Sequence, residues 1–147
     1  MNKKGLGISL ALITASSLFM FLTVFTDYES DGLPKILAFL VTIGFWVSLI
    51  SGYIALFITH RKIGKEKIRK KPGVVCFFTN SYAFVCDLVM IALLVAVVVI
   101  AIVNFGNLIF NTALISLLFL AINLHCILNG RVFNKSQNTK VRRAEDE

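Results

Sequence analysis

The sequence predicts an all-α, polytopic membrane protein with four transmembrane helices, arranged as two antiparallel hairpins with both termini cytoplasmic. Three observations carry that prediction. Of 147 residues, 57% are hydrophobic, against about 45–50% in a soluble domain, and the mean hydropathy is +0.82. The apolar residues gather into four runs, near 6–26, 33–59, 83–103 and 108–128, each long enough for a bilayer crossing of roughly 20 residues. The basic residues fall almost entirely on one side of those runs. Spans and short connections use nearly the whole chain, so 1–130 reads as a single transmembrane domain and 131–147 as a cytoplasmic polar tail.

The first run follows Asn2-Lys3-Lys4, a plausible basic start to a secretory signal. Its apolar part is longer than the usual h-region of about 7–15 residues, and no small-x-small cleavage site precedes Asp27, so it is expected to stay as an anchor. Within it Gly7, Ala11 and Ala15 recur every four residues, and Gly44, Ser48 and Gly52 do the same in the second run. Such spacing places small residues along one side of a helix, where membrane helices approach closely. Two stripes on consecutive spans, joined by a short loop, point to a hairpin. The alternative is that one stripe faces a second copy of the chain.

Orientation comes from charge. The segment "HRKIGKEKIRKKPG", residues 60–73, carries Arg61, Lys62, Lys65, Lys67, Arg69, Lys70 and Lys71. Lys3 and Lys4 at the start, and Arg131, Lys135, Lys140, Arg142 and Arg143 in the tail, fall on the same side. The opposite side has Lys35 alone, with acidic Asp27, Glu29 and Asp31. Fourteen of the 15 basic residues on one side is a strong positive-inside pattern. It predicts a bacterial cytoplasmic (inner or cell) membrane protein, multi-pass, with N-in and C-in topology.

The basic loop reads as a topology determinant that also contacts anionic lipid, each Lys or Arg contributing about 1 kcal/mol near the surface. A net charge of +7 does not imply nucleic acid here, because no aromatics interleave with the charges. Asn134-Lys135-Ser136 fits the glycosylation pattern but falls on the cytoplasmic side.

The third span is rich in branched residues, "LLVAVVVIAIV", and still forms a helix because every backbone group in lipid must be bonded internally. Ahead of it, residues 74–82 form an interfacial segment with Phe77, Phe78 and Tyr82 near headgroup depth and Asn80 or Ser81 as cap. The loop "VNFGN" allows only a tight turn, making spans three and four the second hairpin. Trp46 falls mid-span, either packed against protein or facing lipid.

The polar residues inside the spans are few. Asp87 is the only acid within one, and His125 the only histidine clearly inside one. Such groups suggest function by default. Antiparallel spans three and four would let them meet near the cytoplasmic face, a contact that favours imidazolium with carboxylate. A metal site is poorly supported: Cys86 and Asp87, like His125 and Cys126, are adjacent residues pointing about 100° apart on a helix. No CxxC or HxxxH supplies paired donors, and no cofactor is implied. A proton path is equally poor, since the His125 face continues through Ala121, Leu118 and Leu114 before reaching Asn111 and Asn107. A structural pair at favourable helix-dipole ends fits better, with Asn123 and Asn129 able to hydrogen-bond between helices or cap the end, and Gly130 available at the helix stop. The three cysteines all sit towards the cytoplasmic side, where thiols stay reduced.

"RKKPGVVCFFTN" before span three and "LHCILNGRVF" at the end of span four resemble segments of small four-span membrane proteins from Gram-positive, clostridia-like bacteria. The likeness covers most of the second half of the chain. It implies a membrane fold, and neither an activity nor catalytic residues.

The function that follows is an interaction, accessory or immunity-type membrane protein acting through helix packing, without catalysis. Its expected partners are the lipid bilayer and another membrane protein or a second copy, not nucleic acid. The alternative is a homo-oligomeric small transporter or channel using Asp87 and His125. Four-span multidrug exporters of similar size carry an essential glutamate in their first span, and this first span holds no acid. An enzyme is third, since GxGD, HExxH and GxSxG are all missing from the sequence.

Overall fold

A computed structural model describes residues 3–27, 29, 31–62, 73–103, 106–130 and 132–134, and no strand occurs among them. In chain order they form α1 (Lys3–Leu22) with a 3-10 turn at Thr23–Phe25, α2 (Leu33–Lys62), a 3-10 turn at Gly73–Val75, α3 (Ser81–Val103) and α4 (Leu108–Leu128). The stretches Lys4–Phe25, Leu33–His60, Ser81–Val103 and Leu108–Leu128 are each long and apolar enough to cross a membrane, with mean hydropathies of 2.1, 2.0, 3.1 and 1.9. The four expected spans are therefore present, with small changes at their ends. α1 begins earlier than residue 6, α2 runs on to Lys62, and α3 starts at Ser81 because Asn80 caps it, its Oδ1 accepting from the Ala83 N–H at 2.8 Å. Asn107 does the same for α4, accepting from the Phe110 N–H at 2.8 Å. Gly106 before it has φ +98°, a left-handed conformation that glycine adopts freely.

The distribution of polarity is inverted relative to a soluble domain. Large apolar residues such as Ile43, Trp46, Val95 and Val99 are more than half exposed, or nearly so, around the outside. Inside lie Ser9, Ser16, Ser17, Ser48, Thr59, Ser116, Asn123 and Asn129. Lipid solvates apolar side chains as well as a protein core does, so small and polar residues gain most from facing other helices. Most of the serines and threonines among the described residues hold a carbonyl, as Ser16 does that of Ile13 at 2.7 Å, which satisfies their hydroxyl donors within the chain.

α1 packs on α2 and on α4, and α3 packs on α4. The α2 stripe lies at the α1 contact. A methyl group at Gly44 would stand 2.8 Å from the Phe19 ring, and one at Gly52 would stand 2.9 Å from Cγ1 of Ile13. Ser48 between them is buried. The Ser9 hydroxyl donates to the Gly52 carbonyl at 2.9 Å, and Ser17 donates to the Ser116 carbonyl of α4 at 2.7 Å.

The α1 stripe lies elsewhere, which corrects the expectation that it faces α2. Gly7 has nothing within 4 Å of where its Cβ would be, Ala11 is exposed and Ala15 half-buried. The inward face of α1 is Ser9, Ile13 and Ser16. Serine is nearly as small as alanine, so it can line a close contact while a regular Gly/Ala spacing points outward. Trp46 is on the outside, edge-on to Phe45 with ring centroids 5.2 Å apart, so of its two expected positions it takes the outward one.

Candidate functional site

The first two turns of α3 and the last turn of α4 bring Asp87 and His125 together. Asp87 Oδ1 is 2.6 Å from His125 Nδ1, with the aspartate wholly buried and the histidine 3% exposed. Two apolar helices thus present one ionisable residue each at a matching level. A pair formed this way is far cheaper in lipid than either group alone.

The rest of the site comes from residues 73–80, which cross over the pair. Phe78 donates its N–H to Asp87 Oδ2 at 2.7 Å and adopts φ +54° to do so. Asn129 lies one turn beyond His125 on the same face of α4 and is completely buried. Its Nδ2 donates to both carboxylate oxygens at 3.1 and 3.2 Å, while its Oδ1 accepts the Thr79 N–H at 3.3 Å. Asn80 donates from Nδ2 to the Leu128 carbonyl at 2.9 Å and to Asn134 Oδ1 at 3.0 Å. Asp87, Asn129 and Asn80 therefore fasten this segment to the ends of α3 and α4.

The other edge of the imidazole turns towards the Val74 carbonyl, with Nε2 at 3.4 Å. The Phe77 ring covers the imidazole, centroids 4.5 Å apart, within the distance at which an aromatic ring attracts a cation. Each ring nitrogen thus has an oxygen within reach, Asp87 Oδ1 at Nδ1 and the Val74 carbonyl at Nε2. Gly73 is required beside it, because a Cβ there would collide with the Cys126 carbonyl and come within 3.0 Å of Gly130.

Chemically the cluster is saturated. Both carboxylate oxygens, both amide ends of Asn129 and both imidazole nitrogens have partners, and the group lies out of reach of solvent. Among the described residues no three His, Cys, Asp or Glu side chains converge. Cys86 points its thiol at the Ala121 carbonyl, 3.6 Å away, rather than at the pair.

A second polar tie lies close by, two residues before His125 on α4, where the Tyr53 hydroxyl of α2 donates to Asn123 Oδ1. Asn123 donates in turn to the Phe119 carbonyl at 2.8 Å. The sequence pointed to the Asp87–His125 meeting and to Asn123 as an interhelical bonding group, but not to Tyr53 as its partner. It marked Asn129 only as a cap or bridge. Its spacing of four from His125 was the available signal, since it puts both on one helical face. Nothing in the sequence marks the Phe78 and Thr79 backbone donors.

Of the residues expected to touch anionic lipid, Lys65, Lys67, Arg69, Lys70 and Lys71 lie outside the described residues, and of Arg61 and Lys62 only the helical backbone is described. Comparison of the chain with family models, with curated proteins and with solved structures finds no match.

Proposed function

We propose that the chain is a multi-pass protein of a bacterial cytoplasmic membrane, folded as two antiparallel hairpins with both termini cytoplasmic. It acts as an interaction, accessory or immunity-type protein through helix packing, without catalysis of its own. The observation that carries this reading is the outward position of Gly7 and Ala11. They make a smooth strip on α1 that no helix among the described residues fills, and small residues on membrane helices are where another helix approaches. Asp87 and His125 support it from the other direction, since their hydrogen-bonding capacity is spent inside the chain.

A photoreactive residue at Ala11 tests this in native membranes. The reading expects a crosslink to one protein of defined mass, with a residue at Val99 on the outer face of α3 giving lipid adducts only. Crosslinking to lipid alone at Ala11 would contradict it.

The alternative is a homo-oligomeric transporter or channel that uses Asp87 and His125. The 2.6 Å contact meets its first requirement, that the two groups come together. It then requires Asp87→Asn to abolish flux with expression unchanged, whereas the structural role expects no flux for the variant to lose.

A further inference from the structure

A groove of about 690 Å³ runs along the second half of α2, well within the roughly 300–1,000 Å³ of small-molecule sites. Leu49, Tyr53 and Phe57 line its length, Val132 from the turn after α4 forms part of its wall, and His60 closes one end. The Tyr53 hydroxyl is held by Asn123, so the tyrosine offers the groove chiefly its ring. From Leu49 to His60 the groove covers eleven helical steps, about 16 Å. One leaflet of a bilayer has a hydrocarbon depth of about 15 Å, half of the whole. The groove therefore has the length of one acyl chain in one leaflet, and it ends on an imidazole at headgroup depth.

Charge decides which headgroup. α2 continues from His60 directly into Arg61 and Lys62, and the sequence supplies five more basic residues by position 71. Each Lys or Arg at the membrane surface favours an anionic over a neutral lipid about fivefold. We infer that this groove binds one anionic phospholipid of the leaflet on the basic side, with an acyl chain along Leu49–Phe57 and its phosphate at the His60 end. The site involves neither α3 nor the Gly7–Ala11 strip, so it stands apart from the partner reading.

Native mass spectrometry of the full chain in mild detergent tests it, with phosphatidylglycerol and phosphatidylcholine of identical acyl chains supplied in equal amounts. The expected result is one phosphatidylglycerol retained per chain, with a preference over phosphatidylcholine of about fivefold or more. Arg61→Gln with Lys62→Gln, which leaves the groove intact, should lower that preference at least about fivefold. Leu56 also lines the groove, and Leu56→Trp, which fills it, should remove the retained lipid while leaving the chain monodisperse and helical. Equal retention of both lipids, wild-type retention by Leu56→Trp, or a second copy of the chain in place of lipid would each overturn the assignment.

Discussion

Asp87 holds three kinds of donor at once: an imidazole, a side-chain amide and a backbone N–H. Removing it leaves all three directed at an empty space that neither water nor lipid can serve. Breaking one side of a buried charge pair costs roughly 3–5 kcal/mol, so Asp87→Ala should lower the thermal midpoint in detergent more than any single change on the outer faces. His125→Ala should be comparably severe, since it strands the carboxylate. The double variant should cost less than the two singles summed, because the second removal relieves what the first exposed. Additive losses would mean the two residues act independently. Asn129→Leu keeps the volume but drops the Thr79 and carboxylate bonds, a loss of about 1–3 kcal/mol. It should also increase protease access at 73–80, because Asn129 fastens that segment directly.

At the scale of elements, the close contact between α1 and α2 rests on two glycines whose surroundings differ. At Gly44 the obstacle is the Phe19 ring, which can rotate, whereas at Gly52 it is Ile13 and the Leu12 Cβ, set close to the helix backbone. Gly52→Ala should therefore cost about 1–3 kcal/mol, and Gly44→Ala less. Gly7→Ala meets nothing and should be neutral to stability, or slightly favourable through helix propensity. Heat resistance of the purified variants checks this ranking, and equal losses at positions 7 and 52 would contradict it. This is also where the sequence was easiest to misread. The four apolar runs were legible because lipid demands about 20 apolar residues per crossing whatever the fold, and the Gly44–Ser48–Gly52 contact followed from spacing. The α1 stripe has the same spacing but the opposite facing. Periodicity reveals that one side of a helix is small, not where that side points. The polar cluster was half legible for a related reason. Asp87 and His125 stand out in apolar runs, while the Phe78 and Thr79 donors belong to the backbone and depend on the path of the chain.

For the whole molecule, the inverted polarity ties fold to environment. Serines, asparagines and one charge pair hold the interior, and the exterior is lipid-compatible. Fusion of a fluorescent protein that matures only in the cytoplasm should give signal at both ends of the chain, as the fourteen-to-one division of basic residues predicts. A dark fusion at either end would overturn that orientation.

The proposed function requires another membrane protein seated on the outward strip of α1. The most direct measurement is affinity purification of a tagged chain from its native membrane, at native expression and in mild detergent, beside the Gly7→Leu/Ala11→Leu and Asp87→Asn variants. A stoichiometric membrane partner is expected with the wild type, lost in the double leucine variant although that variant is folded, and retained by whatever Asp87→Asn protein accumulates. A wild type recovered alone or as a clean homo-oligomer, or a partner indifferent to leucines at 7 and 11, would contradict it.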